Sequence, residues 1–260
     1  MKLTFIGVGG AFAPLSKGQS NMFFTADDGS KLLLDLGDAS KFILRDEMGL
    51  QHSDFDGVYI SHLHGDHIGG MEWFALMHYF VKAENKPKLF GRSNVLSELW
   101  QKSLRGGLET LEGEEPCTLD TYFDLHRIKE NGHFKWKGYT FKTVQTNHIS
   151  DGFEFKNSYG LLVQRDSDDT CKEYQKTFIT TDTQFCPSQL LKTYDIADQI
   201  FHDCETLPFK SNVHAHYDDL CTLDEQIKNK MWLYHHAEEK SDVLDQGFQG
   251  FVTKGQEFQI

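Results

Sequence analysis

The chain has 260 residues, 39 % hydrophobic and 25 % charged, with 21 phenylalanines, 9 tyrosines and 4 tryptophans. That composition is ordinary for a globular protein, and the length is ample for a buried core. The net charge of −13 weighs against a long polyanion as partner, and no run of about 20 apolar residues is present to cross a bilayer.

Residues 2–10 read as a strand running into a turn, because Leu3, Phe5 and Val8 are apolar and Gly7, Gly9 and Gly10 permit unusual backbone angles. The opening Met1-Lys2-Leu3-Thr4-Phe5-Ile6 lacks the apolar core and cleavage site of a secretory signal, so a cytoplasmic location is expected. Residues 20–25 and 31–35 form a hairpin about Asp27-Asp28-Gly29-Ser30. The second of these strands is buried and leaves Asp35 at its end. Residues 38–48 are predicted helical, 55–61 a strand, 69–81 a helix by apolar spacing, 88–91 a short strand and 95–108 a helix. Residues 109–120 read as an acidic surface loop. Strands follow over 121–129, 132–137, 139–147, 159–165 and 176–181, the last two flanking a polar turn at 166–169. A strand over 200–204, a helix over 220–229 and a strand over 231–235 complete the pattern. No linker or repeat divides the chain, so one α/β domain over 1–260 is expected.

The most informative stretch is Ser61-His62-Leu63-His64-Gly65-Asp66-His67, directly after the apolar Val58-Tyr59-Ile60. Imidazoles and a carboxylate at this spacing suit first-row divalent cations, and loops after strands project functional groups. Later strand ends deliver His148, Asp182, His202-Asp203 and His235-His236, as when one rim of a sheet assembles a site from distant sequence. Each has a structural alternative. Asp182 could cap a helix over 183–190, and His148 could be a satisfied strand-end histidine. His235 and His236 compete, because alternation sends neighbours to opposite faces. The five cysteines are odd in number and scattered, with no Cys-x-x-Cys pair, so buried thiols are expected rather than a disulfide framework.

The motif from Ser61 to His67, with His148, Asp182 and His235 at these intervals, resembles the metallo-β-lactamase superfamily. Its tRNase Z-like branch is the most similar, and Gly7-Val8-Gly9-Gly10 and Asn21 match that branch too. The resemblance implies an αββα sandwich with two zinc ions per subunit, Mn2+ being the alternative metal. His62, His64 and His148 would hold the first ion, Asp66, His67 and His235 the second, and Asp182 would bridge both. Asp35 is a candidate acceptor for the outer nitrogen of a ligand histidine. Two cations about 3.5–4 Å apart lower the pKa of a bridging water and neutralise phosphate charge, which favours a phosphodiester substrate. In this branch a histidine from the segment Asn212 to Leu220 is the general acid. His214 matches that position best and His216 next; the alternative is that His216 caps a helix from Tyr217 while His214 is merely exposed. Asp66, His214 and His216 are thus the residues expected to carry the chemistry.

The substrate rests on the surroundings. True tRNase Z enzymes carry a long arm rich in glycine and basic residues, and none is present. Lys82, Lys86, Lys88, Arg92, Lys102 and Arg105 read as a solvated helix face rather than an RNA footprint. Size, acidity and the segment Val213-His214-Ala215-His216-Tyr217-Asp218-Asp219-Leu220 are most similar to the phage anti-Pycsar phosphodiesterases. That resemblance implies hydrolysis of cyclic nucleotide second messengers (cCMP and cUMP, with cAMP and cGMP). It also implies a homodimer whose partner loop closes each pocket, and action in the host cytoplasm if a phage encodes the chain. Phe12, Phe153, Phe155 and Tyr159 are candidates to stack the base, with core packing as the alternative. Other readings of the same ligands are an RNA 3′-end endonuclease, a lactone or thioester hydrolase, and a non-enzymatic protein that sequesters nucleotides.

Overall fold

The computed structural model describes residues 1–81, 85–111, 113, 115–130, 132–150, 152–166 and 175–260. Lys82, Cys171, residues 167–169 of the polar turn and the side chain of Phe155 lie outside the described residues. Strands β1 (Lys2–Phe5), β2 (Met22–Thr25), β3 (Lys31–Leu34), β4 (Gly57–Ile60), β5 (Lys88–Arg92) and β6 (Asp124–Ile128) lie side by side in that order. The second sheet contains β7 (His133–Trp136), β8 (Tyr139–Ser150), β9 (Phe155–Arg165), β10 (Lys176–Ile179), β11 (Gln199–Asp203), β12 (Met231–Tyr234) and β13 (Gly250–Phe251). The chain then returns in β14 (Glu257–Gln259), which pairs antiparallel with β1 and edges the first sheet. β3 to β6 run parallel, as do β10 to β13. Their C-terminal ends are where ligand sites form in such sheets.

The alternation of side chains sorts the core into layers. Leu32, Leu34, Tyr59 and Phe90 face the space between the sheets with Phe24, Phe134, Phe141 and Phe201. There Phe134 stacks on Phe90 at 4.3 Å and on Phe141 at 4.7 Å between ring centroids. Each such ring removed from water stabilises the fold by about 1.5–3 kcal/mol. Leu33, Val58, Ile60 and Leu89 point the other way and pack under helices. α1 (Ser40–Phe42), α2 (Gly65–Ile68), α3 (Met71–Val81), α4 (Ser93–Leu99), α5 (Arg105–Leu108) and α6 (Leu119–Tyr122) belong to this side. α3 buries Met71, Phe74, Ala75 and His78, one face at helical spacing. On the opposite surface α7 (Pro187–Ile196) lays Leu190 and Tyr194 on Phe178 and Ile200, followed by α8 (Tyr217–Leu220) and α9 (Glu225–Lys228). The result is a four-layer αββα sandwich in one domain.

Several predicted elements are reshaped by local chemistry. The helices expected over 38–48 and 95–108 each contain a π turn, at Ile43–Glu47 and Trp100–Leu104. Thr121 and Tyr122 are helical rather than strand, because the Thr121 hydroxyl accepts from Thr118 N at 2.9 Å and closes a capping box. The helix expected over 220–229 is two single turns; the Thr222 hydroxyl donates to the Asp219 carbonyl at 2.6 Å between them. β8 runs to Ser150 rather than 147, with a bulge between Asn147 and Ile149 that leaves His148 out of the ladder. α7 begins at Pro187, whose missing N–H costs nothing at a first helical position, so Asp182 caps no helix.

Candidate metal centre

The Ser61–His67 stretch leaves the C-terminal end of β4 as a loop and turns into α2 at Gly65, with His64 as the residue before the helix. Asp35, just past β3, anchors it. Its carboxylate accepts from Ser61 N at 2.8 Å, from the Ser61 hydroxyl at 2.6 Å and from His67 Nδ1 at 2.8 Å. From the other side Asn21 Nδ2 donates to the Asp66 carbonyl at 2.9 Å. Among the described residues five non-glycines have φ in the left-handed region, and three of them, Asp35, Thr181 and His235, stand at strand ends around this loop. A β-branched Thr181 at φ 53° is costly, and such strain concentrates where a functional geometry is imposed.

Two groups of donor atoms result, both buried. In the first, His64 Nδ1 lies 3.1 Å from His62 Nε2 and 2.9 Å from His148 Nε2, and Asp182 Oδ2 is 3.6 Å from both of those Nε2 atoms. In the second, His67 Nε2 is 3.4 Å from Asp66 Oδ2 and 3.3 Å from Asp182 Oδ1, while His235 Nε2 is 3.8 Å from Asp66 Oδ2. Metal–nitrogen bonds of about 2.0–2.1 Å put neighbouring corners of a tetrahedron about 3.4 Å apart. The observed edges bracket that spacing. His67 Nε2, His235 Nε2 and Asp182 Oδ1 are buried with no hydrogen-bond partner among the described residues, which is costly unless another species satisfies them. The donor set therefore fits a pair of divalent cations, with Asp182 common to both groups.

The outer ring nitrogens are held as ligand histidines require. His67 Nδ1 donates to Asp35, His148 Nδ1 to the Val213 carbonyl at 2.8 Å, and His62 Nδ1 to the Ser61 hydroxyl at 2.9 Å. His235 Nδ1 faces Asp203 Oδ1 at 3.4 Å. Burial, then the neighbouring His67 charge, holds His62 well below its usual pKa, and burial pushes His148 down to about 4. Burial opposes charge on His67 as well, but Asp182 and Asp66 outweigh it and hold that imidazole well above its usual value. Burial favours a neutral Asp182, yet His235 and His67 outweigh it and keep the carboxyl ionised. Ligation of a cation through His67 Nε2 would require the loss of that proton.

The structure separates the neighbouring histidines whose roles the sequence leaves open. His236 turns away from the donor groups, with its ring against Phe251 at 4.7 Å. His216 precedes α8; its Nδ1 accepts from Asp218 N at 3.2 Å and its Nε2 donates to the Leu207 carbonyl at 2.9 Å, so both nitrogens are used. His214 stacks on His235 at 4.3 Å between centroids and donates from Nδ1 to Asp203 Oδ2 at 2.8 Å. Burial works against its charge, Asp203 outweighs burial, and the ring is pushed up to about 9. Asp203, fully buried, also accepts from Thr183 N at 2.8 Å. It thus links the His214 and Asp182 segments, a role sequence reasoning missed. His202 beside it points to the opposite face and meets the Tyr194 hydroxyl at 2.6 Å.

Cavities flank the donor groups. One of about 670 Å³ is bordered by His62, His64, His148, Asn94 and Tyr159; another of about 460 Å³ by Phe12, Glu205, His214, His235 and His236. Phe12 and Phe153 are exposed, while Tyr159 is buried under the Arg92 guanidinium at 4.9 Å.

The chain matches known proteins along nearly its whole length. The family profile described as anti-Pycsar protein Apyc1 covers residues 1–258. An anti-Pycsar protein Apyc1 from Paenibacillus harenae is 35 % identical over 253 residues, 96 % of this chain and 93 % of that protein. One from Bacillus phage vB_BveM-Goe7 is 31 % identical over 267 residues, 98 % of this chain and 97 % of that protein. Among solved structures, the metallo-β-lactamase fold protein YhfI from Bacillus subtilis superposes with a TM-score of 0.73 at 18 % identity, covering 99 % of each chain. Human tRNase Z, short form, gives 0.71 at 16 % identity, covering 100 % of this chain and 99 % of that one. These structural likenesses establish the fold.

Proposed function

Because this chain belongs to the anti-Pycsar protein Apyc1 family, we propose that it is a metal-dependent phosphodiesterase that opens cyclic nucleotides to nucleoside monophosphates and so counters Pycsar defence. The observation that carries the chemistry is the pair of buried donor groups sharing Asp182. His62, His64 and His148 would hold one Zn2+, and Asp66, His67 and His235 the other. Bound there, two divalent cations activate water as nucleophile and neutralise phosphate charge. The chain's own residues do the rest. Asp35 and Ser61 fix the imidazole orientations, and Asp203 holds the proton of His214 on Nδ1, so Nε2 is the atom that carries the transferable proton. Water adds to phosphorus as the bond to the ribose oxygen breaks; His214 gives that oxygen its proton, and the proton that the water sheds passes to solvent, from which His214 is reprotonated. His216, with both nitrogens committed to backbone groups, positions the segment instead.

The relatives are bacterial and phage proteins, and no helix among the described residues is long and apolar enough to cross a membrane. The proposal extends to the bacterial cytoplasm, to Zn2+ as the metal, and to a homodimer in which a partner loop closes each site, which analytical ultracentrifugation tests. The central test uses cCMP, cUMP, cAMP and cGMP. Wild-type protein hydrolyses them and stops on chelation. Asp182→Ala and His64→Ala reduce the rate by about 10²–10³, as loss of an electrostatic catalytic element does, and elemental analysis shows lowered metal content. Wild-type turnover in either variant, with the substitution confirmed, overturns the two-metal assignment.

A further inference from the structure

Asn94, Glu98 and Lys102 recur every fourth residue from α4 into its π turn, and all three border the larger cavity. Residues at this spacing share a helix face. Lys102 Nζ meets Glu98 Oε2 at 2.9 Å, and Asn94 Nδ2 donates to the Tyr159 hydroxyl at 3.4 Å. Tyr159 is held in turn by the Arg92 guanidinium over its ring. Leu63, Ile68 and Val95 supply an apolar wall to the same cavity. His62, His64 and His148 border it too. The lining therefore joins the metal centre, an apolar surface and two pairs of opposite charge, Lys102 with Glu98 and, at the longer distance of 3.7 Å, Lys156 with Glu154. A cavity of about 670 Å³ is of the size that holds a small ligand.

We propose that this cavity takes the nucleobase and that Glu98 and Lys102 read its polar edge. The inference rests on the cyclic-nucleotide reading above and adds the residues that recognise the base. A nucleobase has apolar faces and an edge on which a hydrogen-bond donor adjoins an acceptor. The apolar wall suits the faces. The carboxylate accepts from the donor and the ammonium donates to the acceptor. Cytosine offers an amino group beside a ring nitrogen, and uracil an imide N–H beside a carbonyl. A flexible pair of opposite charges meets either, so the arrangement favours a polar planar base without selecting a single one. The cavity on the other flank, beside His214 and Phe12, is bordered by apolar groups together with Lys17, Glu205 and Glu238, which form no lysine–glutamate ion pair among the described residues.

The experiment compares kcat/KM for cCMP with that for bis(p-nitrophenyl) phosphate, a phosphodiester with no base, in the metal-loaded protein. Glu98→Lys and Lys102→Glu each lower the ratio about tenfold, the scale of one hydrogen bond to a charged group, chiefly through KM. The double exchange Glu98→Lys/Lys102→Glu restores the pair and raises the ratio again. An unchanged ratio in both single variants overturns the proposal. So does a ratio that falls in Phe12→Ala and in neither charge variant, because the base then occupies the other cavity. A wild-type protein that cleaves bis(p-nitrophenyl) phosphate but no cyclic nucleotide overturns the parent reading instead.

Discussion

Asp203 and His214 act as one unit, and their effect depends on what leaves. A ribose alkoxide needs a proton, whereas p-nitrophenolate departs without one. His214→Gln therefore lowers cCMP hydrolysis by about 10²–10⁴, the usual worth of a general acid. Cleavage of bis(p-nitrophenyl) phosphate falls far less. Asp203→Asn has the same signature, since an amide can present N–H to His214 Nδ1 and favour the wrong tautomer. Equal losses on both substrates count against the acid role. At this scale the sequence shows the donor residues of the Ser61–His67 stretch because they are contiguous. It does not show Asp203, which sits beside an equally polar His202 and differs only in the face it occupies. Nor does it divide His214 from His216, because both nitrogens of His216 are claimed by backbone groups that come from folding.

Elements bring the distant ligands in, and their close approaches are specific. Gly160 of β9 lies against the end of β10, where an added Cβ would sit 2.4 Å from the Ile179 carbonyl oxygen and 2.6 Å from that of Thr180. Both contacts are backbone and can yield only by moving the strand that presents Asp182. Gly160→Ala is expected to destabilise the protein by about 1–3 kcal/mol and to weaken metal retention, read by urea denaturation and elemental analysis. A variant as stable and metal-rich as wild type would show that β10 can shift freely. Strand and helix positions are legible from periodicity and turn residues. The departures are local: π turns, the Thr118–Thr121 capping box and the bulge that frees His148 from the β8 ladder. Each depends on a side-chain or packing contact that periodicity does not encode.

Across the whole molecule, burial of histidine couples stability to pH. His78 of α3 packs against Phe74 at 4.5 Å and donates from Nε2 to the His52 carbonyl at 3.2 Å. Burial, and next the charge of His52, pushes it down to about 4, against about 6.5 in an unfolded chain. Between those values the unfolded chain binds a proton that the folded one refuses. Stability is therefore lost as pH falls from about 6.5 to about 4, with no further loss from this group below that. His78→Gln keeps a donor for the His52 carbonyl and cannot titrate, so its Tm changes less between pH 7 and pH 5 than that of wild type. Parallel pH profiles would remove His78 from the explanation. The αββα architecture is legible only through the resemblance that the metal motif carries; the residue pattern by itself gives one α/β domain, and the split of Phe23 from Phe24 and of Leu33 from its neighbours onto two faces is seen in the fold.

Asp35 touches both donor groups: His67 directly, and His62 through the Ser61 hydroxyl. Asp182 is common to both as well. With two carboxylates in common, the positions cannot fill as independent half-sites. Filling one position would neutralise a carboxylate and fix a proton state on which the other also depends, and such coupling is reciprocal whichever position fills first. Cation uptake is expected to be cooperative, with singly loaded molecules scarce at half saturation. Native mass spectrometry during a zinc titration reads this directly, and a dominant one-ion species would contradict it.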